Sequence, residues 1–234
     1  MSQNINEDIP GDEELRDVPV FPLPKLVLFP ETNLPLHLFE PRYRELMADC
    51  IASGNMLLAI AQLQPGWRAD YHGRPPFYDV AGLGRITRHR KNDDGTYDIH
   101  VRGLCRVSLR ELPAEDTGYR RAQATLLREK LPAGGVAHAE MSALLSLATQ
   151  IVQRVKQNDA SFELLASPKD EPARFIDKIA DQLVPDPDAR QQILETLDVR
   201  KRLELTSSKL AALHLALLAN APPDDGGGEP GLLH

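Results

Sequence analysis

The chain has 234 residues, of which 42% are hydrophobic and 26% charged, and a formal net charge of −7 at pH 7. This length allows one or two domains with a buried core, and the acidic balance argues against a broad nucleic-acid surface. No apolar run reaches the ~20 residues of a membrane-spanning helix, and the acidic N-terminal sequence lacks the pattern of a signal peptide. We therefore predict a cytoplasmic globular protein.

Six prolines interrupt the stretch from Val18 to Met47. Short apolar clusters lie between them, at Val20-Phe21, at Leu26–Phe29 and around Leu36. Because proline fixes φ and lacks an N–H donor, these clusters are predicted as brief strands separated by bends. Pro41 opens a segment without further breakers and suits the first position of a helix. The stretch is therefore predicted as strand, bend, strand and helix.

The next segments are predicted as strands and loops. Residues 56–63 form a short apolar run that favours a buried strand, although its leucines and alanines would tolerate a helix. Residues 64–76 are rich in proline and glycine and are predicted as a loop. A strand is predicted from Val80, in which Gly82 and Gly84 indicate a bend or a close approach of another backbone segment.

The turn at Asn92–Gly95 is the strongest hairpin signal, because its Asp-Gly lies between two extended segments. The strand after it alternates with period two from Tyr97, is predicted to break at Gly103, and resumes at Cys105. Residues 119–127 are predicted to add a last strand. Several short strands at this spacing indicate a closed or nearly closed barrel.

The pattern becomes helical after Leu-Pro-Ala-Gly-Gly at residues 131–135. Apolar residues recur at helical spacing from Met141 to Val155, and further helices are predicted over residues 173–184, 188–199 and 199–220. The predicted division of the chain is a disordered lead-in over 1–16, a barrel domain over 17–130, a helical bundle over 131–220 and a flexible tail over 221–234.

Residues 18–43 contain VPVFPLP, LFP and LPLHLFEPRY, and this arrangement resembles the N-terminal substrate-binding domain of Lon proteases. VAGLGRI, VRGLCRV and ILETLDVRKRLELT are similar to later parts of the same domain, so the resemblance covers roughly residues 18–219. It is closest to the free-standing bacterial form, which lacks the ATPase and protease modules. The resemblance implies an α+β fold, with a small PUA-like β-barrel and one helix followed by a C-terminal helical bundle.

The resemblance also implies a non-enzymatic protein that binds exposed apolar segments of client polypeptides, in the cleft between barrel and bundle or at a barrel edge. In Lon proteins the start of the helix after FEPRY lies in the region thought to recognise clients. Phe39, Glu40, Arg42 and Tyr43 are therefore candidate peptide-binding residues. A structural role is the alternative, in which Phe39 and Tyr43 bracket the helix start and Glu40 pairs with Arg44.

Other classes of function stay open. One is an adaptor for a protease or another folded partner, another is an RNA-binding PUA-like module, and a third is a small-molecule pocket in the barrel. Basic residues that could contact phosphates are Arg85, Arg88, His89, Arg90 and Lys91. No aromatic residues alternate with them for base stacking, and acidic residues follow at once, so a solvated hairpin end is predicted and nucleic acid is not the expected partner.

No catalytic residue, cofactor or metal site is predicted. The sequence has no GxxxxGK[ST] motif for nucleotide phosphates. The run from Ser167 to Ala173 is similar to the segment around the Lon protease nucleophile, but Ala173 stands where the serine is expected, and Ser167 with Lys169 does not make a catalytic pair. The seven histidines show no metal-binding spacing. Cys50 and Cys105 are predicted to be buried, reduced thiols.

Overall fold

The structure is a computed structural model that describes residues 9–70, 73–114, 117–155, 161–167 and 169–219. The strands are β1 (Val18–Leu23), β2 (Asn33–Leu38), β3 (Leu57–Gln62), β4 (Val80–Lys91), β5 (Tyr97–Glu111) and β6 (Arg120–Leu126). The helices are α1 (Pro41–Ser53), α2 (His138–Val155), α3 (Pro172–Leu183), α4 (Pro187–Glu195) and α5 (Val199–Ala219), and a 3-10 turn spans Trp67–Asp70.

Five strands close into a barrel. β3 lies parallel to β1 and antiparallel to β4, β4 pairs with β5, β5 pairs with β6, and β6 returns to β1. β2 extends the sheet by pairing with the first half of β5, whereas the second half of β5 pairs with β6. The predicted fold class, an α+β fold with a small barrel and one helix followed by further helices, is confirmed.

The two faces of β3 show how the barrel is packed. Leu57, Ala59 and Ala61 lie in the cluster of buried side chains that fills the barrel, together with alternate residues of the other barrel strands. Leu58 and Ile60 belong to a second cluster, which also contains the buried face of α1. Both faces of β3 are therefore buried, which explains why its sequence is a continuous apolar run rather than an alternating one.

The prediction of a strand at Leu26–Phe29 is wrong, because this segment is a connection between β1 and β2. Its side chains enter two different cores. Val27 and Phe29 pack among the helices after the barrel, and Leu28 packs in the cluster beneath α1. The apolar character of the segment therefore reflects its position between two packing layers rather than membership of a sheet.

The predicted break at Gly103 is also wrong, since β5 continues without interruption to Glu111. A Cβ at Gly103 would collide with the carbonyl oxygen of Phe29, and a Cβ at Gly82 would collide with that of Leu28. These glycines let the connection between β1 and β2 lie directly against the barrel. The close backbone approach predicted for Gly82 is confirmed.

Helices α2 to α5 form the second layer, here called the helical layer. The predicted apolar face of α3 is confirmed, with Phe175, Ile176, Ile179 and Leu183 all buried. These side chains share one buried cluster with Phe29 from the connection before β2. The barrel and the helical layer therefore have a common core, and the predicted division into two domains at residue 131 stays a prediction.

The N-terminal lead-in is partly ordered. Leu15 is buried in the barrel cluster, and its carbonyl oxygen accepts a hydrogen bond from the Ala124 amide at 2.8 Å. The prediction of disorder is therefore wrong for residues 9–16, because Leu15 packs within the barrel core. Residues 1–8 and the predicted tail at 221–234 lie outside the described residues.

An ionic cluster of four side chains joins the barrel to the helical layer. Arg106 of β5 donates to the Asp177 carboxylate of α3 at 2.6 and 2.9 Å, and to Glu129 at 3.0 Å. Arg202 of α5 donates to Glu129 at 2.6 Å and to Asp177 at 3.3 Å. The side chains of Arg106, Arg202 and Asp177 are 1%, 0% and 2% exposed. Their mutual pairing allows these charges to be buried.

Asp177→Ala tests this ionic cluster. The substitution leaves two buried guanidinium groups with only Glu129 to balance them, so we expect the free energy of unfolding in urea to fall by about 3–5 kcal/mol. Glu204→Gln is the control, since the exposed pair of Arg200 and Glu204 at 3.8 Å is worth less than about 1 kcal/mol. Equal effects of the two substitutions would contradict the structural role of the cluster.

Candidate functional site

A cavity of about 500 Å³ lies between the barrel and the first turn of α3. We call it the interlayer cavity. Its apolar part comes mainly from the barrel, and its residues are Ile9, Pro30, Leu104, Cys105, Leu126, Leu127 and Ala173. Its charged part is Glu31, Arg106, Arg128, Glu129, Glu171, Arg174 and Asp177. This volume lies within the ~300–1,000 Å³ usual for ligand-binding pockets.

Local structure explains how the barrel forms its side of the cavity. Beyond the end of β6, the Leu127 amide still donates to the carbonyl oxygen of Arg106 at 3.0 Å, which keeps residues 127–129 beside β5. Glu31 adopts a positive φ of 61°, and its amide donates to the Gly103 carbonyl oxygen at 3.0 Å. The connection before β2 therefore turns at the cavity and supplies part of its wall.

The charged residues of the cavity fall into two groups. Arg106, Glu129 and Asp177 belong to the ionic cluster, and Glu31 pairs with Arg102 at 3.3 Å. Arg128, Arg174 and Glu171 make no ion pair with any residue in the described part of the chain. The cavity therefore has an apolar part, here called its apolar floor, and charged residues that are neutralised by ion pairs. It also has three charged residues without an ion-pair partner in the described part of the chain.

Cys105 lies in the cavity and differs from Cys50. Cys50 is buried on the inner face of α1, as predicted, whereas Cys105 is only partly buried, so the prediction of burial is wrong for it. Burial raises the pKa of the Cys105 thiol to about 11, against the opposing effect of Arg106. The pKa of Cys50 is likewise raised to about 11, by burial and then by Asp49. Both thiols are therefore protonated at neutral pH.

Of the predicted peptide-binding residues, Phe39 is the most accessible. It is 64% exposed, and its ring stacks on that of His37 with a centroid separation of 6.2 Å. Tyr43 is 3% exposed and packs instead against Phe21, with ring centroids 4.1 Å apart. The predicted bracket of Phe39 and Tyr43 around the helix start is therefore wrong, because Tyr43 is held by the core and Phe39 points to solvent.

Glu40 and Arg42 pair with each other at the start of α1, with a separation of 2.8 Å between Nη2 and Oε2. The Arg42 guanidinium also lies 4.7 Å from the centre of the Tyr43 ring. The Arg44 guanidinium lies over Gly95 in the β4–β5 turn instead, so the predicted pair of Glu40 and Arg44 is wrong. A second, smaller cavity of about 230 Å³ is lined by Arg42 and Tyr43 together with Pro22, Gly73, Arg74, Thr117, Gly118, Tyr119 and Arg120.

The basic residues at the end of β4 are exposed and partly neutralised. Arg90 donates to Asp98 at 2.7 Å, and His37 lies 2.7 Å from the other oxygen of the same carboxylate. The Arg90 hydrogen bond, followed by that of His37, holds the pKa of Asp98 well below its usual range. This arrangement agrees with the predicted solvated hairpin end.

The loop at Ser167 contains backbone caps rather than a catalytic pair. The Ser167 hydroxyl accepts a hydrogen bond from the Lys169 amide at 3.3 Å, and the Asp170 carboxylate accepts one from the Ser167 amide at 2.9 Å. Lys178 pairs with the same carboxylate at 2.9 Å. These contacts stabilise the loop that precedes α3 and join it to that helix.

The described residues contain neither a cluster of metal-ligating side chains nor a membrane-spanning helix. Within residues 9–70, 73–114, 117–155, 161–167 and 169–219, no three His, Cys, Asp or Glu side chains meet in a way that could hold a metal ion. Over the same residues, no helix combines the length and apolar character needed to cross a bilayer.

The resemblance implies a binding surface in the cleft between the layers or at a barrel edge, but the sequence does not identify the side chains that line the cavity. Leu104 and Leu126 follow an ordinary strand pattern, and Arg128 lies just beyond the end of β6. Arg174 lies on α3, where the sequence pattern predicts only the apolar face. No motif marks these residues, because the cavity is assembled from separate segments that only the fold brings together. The described residues therefore form a closed barrel with an attached helical layer and a cavity between the two.

The chain belongs to the family of the ATP-dependent protease La (LON) substrate-binding domain, whose sequence model matches residues 17–212. It is 26% identical over 193 residues to the Lon protease of Desulfosudis oleivorans, an alignment that covers 82% of this chain and 23% of that protein. The chain therefore spans about a quarter of the length of this relative.

Two solved structures share the fold. One is the N-terminal domain of Mycobacterium avium complex Lon protease, with a TM-score of 0.61, 16% identity, and coverage of 84% of this chain and 98% of that chain. The other is the Lon N-terminal domain protein from Xanthomonas campestris, with a TM-score of 0.53, 22% identity, and coverage of 88% and 99%. The fold that the sequence resemblance implies is therefore confirmed.

Labelling of Cys105 with a thiol reagent tests its environment in the interlayer cavity. Because the thiolate is the reactive form and its pKa is raised to about 11, we expect the rate to rise about tenfold per pH unit between about pH 7 and 9. The rate is measured by mass spectrometry in the Cys50→Ala variant. A plateau near pH 9, as for a free thiol with a pKa of about 8.5, would contradict this account.

Proposed function

We propose that this protein binds extended apolar segments of unfolded polypeptides in the interlayer cavity, without catalysing a reaction itself. The observation that carries the proposal is the apolar floor of a cavity of about 500 Å³ between two layers that share one core. Membership of a substrate-binding-domain family supports the same function. Such a protein would act in the cytoplasm in protein quality control, alone or beside a protease.

The physical chemistry of the cavity suits weak and tolerant recognition. Burying one Leu or Phe side chain contributes about 1.5–3 kcal/mol, and two or three such side chains must also offset the cost of ordering the segment. Affinities on the order of tens of micromolar, near −6 kcal/mol, are the expected result. Selectivity for unfolded chains follows, because a folded protein does not expose several apolar side chains in one extended segment.

The start of α1 is a second candidate surface for the same function. Phe39 offers an exposed aromatic ring, which is typical of a contact residue, and Arg42 lines the smaller cavity beside it. Glu40 orients Arg42 through their ion pair, and Tyr43 supports its guanidinium from the core. We propose Phe39 and Arg42 as the contacts there, with Glu40 and Tyr43 in positioning roles.

The test is fluorescence anisotropy of a labelled, permanently unfolded protein titrated with this one in the absence of ATP. Ile9→Asp, which places a charge in the interlayer cavity, is expected to weaken binding at least tenfold, because a charge on an apolar contact carries a desolvation cost. Ile51→Asp is the matched control, since Ile9 and Ile51 are 44% and 40% exposed and Ile51 lies on α1. The same protein in its folded form should not bind.

Phe39→Ala and Arg42→Ala assign the second surface. Loss of binding in these variants, with Ile9→Asp unaffected, would move the site to the start of α1. Absence of saturable binding at concentrations on the order of 100 micromolar would contradict the proposed function. A folded protease or an RNA added as competitor at two salt concentrations then distinguishes an adaptor from a nucleic-acid binder, since only RNA binding weakens steeply with salt.

A further inference from the structure

The charges around the interlayer cavity do not cancel when Arg102 and Arg202, which pair with its carboxylates from outside the lining, are included. Arg106 and Arg202 balance Glu129 and Asp177 within the ionic cluster, and Arg102 balances Glu31. Of the lining residues this leaves Arg128, Arg174 and Glu171, which have no ion-pair partner among the described residues and together carry one net positive charge.

The two arginines reach the cavity from different layers. Arg128 follows the end of β6 on the barrel side, and Arg174 lies in the first turn of α3 on the helical side. The first turn of α3 adds the partial positive charge of a helix N-terminus, and Glu171, its N-cap residue, makes no side-chain hydrogen bond to that turn. Two arginines that line a cavity with an apolar floor favour a ligand that is apolar along most of its length and carries a carboxylate.

We propose that the preferred occupant of the interlayer cavity is an apolar polypeptide segment that contains an aspartate or glutamate side chain. This inference rests on the proposed function and names the class of segment that the cavity selects. The apolar side chains of the segment lie on Leu104, Leu126 and Leu127, and its carboxylate lies between Arg128 and Arg174.

The smaller cavity beside α1 lacks this combination. Its arginines already have acidic partners, because Arg42 pairs with Glu40, while Arg74 and Arg120 both pair with Glu111. The hydrogen bonds of Arg120 and then Arg74 help to hold the pKa of Glu111 below its usual value, although burial, the largest effect on it, acts in the opposite direction. An acidic segment therefore gains less there than in the interlayer cavity.

The net charge of the whole protein gives the proposal a specific salt dependence. At a net charge of −7 the protein repels acidic segments at long range, so the preference must come from the two nearby arginines. Salt screens both effects, but a partly buried contact is screened less than the long-range repulsion. The preference for the acidic segment is therefore expected to survive at moderate ionic strength.

The experiment uses three labelled peptides with the same apolar sequence and a central Asp, Asn or Lys, each titrated with the full chain at two salt concentrations. We expect the Asp peptide to bind about tenfold more tightly than the Asn peptide, and the Lys peptide to bind most weakly. In the Arg128→Gln, Arg174→Gln double variant the Asp and Asn peptides are expected to bind within about twofold of each other.

Arg88→Gln is the matched control, because Arg88 is an exposed arginine of β4 outside the cavity. It should preserve the difference between the Asp and Asn peptides. Equal binding of the Asp and Asn peptides to the unaltered protein would overturn the inference and leave the proposed function standing. Failure of all three peptides to bind, together with failure of the unfolded protein in the earlier titration, would overturn both.

Discussion

The structure depends on one electrostatic constraint, which is that two arginines are buried where the barrel meets the helical layer. Arg106 and Arg202 are almost completely inaccessible, and both need Asp177. Because an unpaired buried charge is far more costly than a paired one, α3 and α5 are held at fixed positions against β5. The same contacts place the first turn of α3 opposite the residues at the end of β6, and the interlayer cavity lies between these two segments.

Much of the barrel could be predicted because its signals are local. The alternation from Tyr97 and the Asp-Gly turn before it are properties of neighbouring residues, and the structure pairs β4 with β5 there. Gly103 shows where local reasoning fails. A glycine usually indicates a break in a strand, but here the strand continues through it. The Phe29 carbonyl, from a distant part of the chain, lies so close to Gly103 that only glycine fits. The apolar Leu26–Phe29 cluster predicts a strand but forms a connection, because its packing partners lie in two separate cores that the local sequence does not reveal.

The candidate site was predictable only in part. The FEPRY motif correctly marked the start of a helix, but the partner of Tyr43 is Phe21 on β1, and spacing along the helix gives no information about that contact. The interlayer cavity is lined by residues from the N-terminal lead-in, the connection before β2, two strands and one helix. Its chemistry therefore depends on tertiary structure, and the binding surface that the resemblance implies, in the cleft between the layers or at a barrel edge, stays a prediction.

The central claim is that unfolded apolar segments occupy the interlayer cavity. The most direct measurement is the rate at which Cys105, which lies in this cavity, reacts with a thiol reagent in the Cys50→Ala variant with and without a saturating unfolded polypeptide. The account predicts that at about ten times the dissociation constant the rate falls about tenfold, because only the free protein reacts. An unchanged rate under conditions where anisotropy shows saturation would contradict it and would place the bound segment elsewhere on the surface.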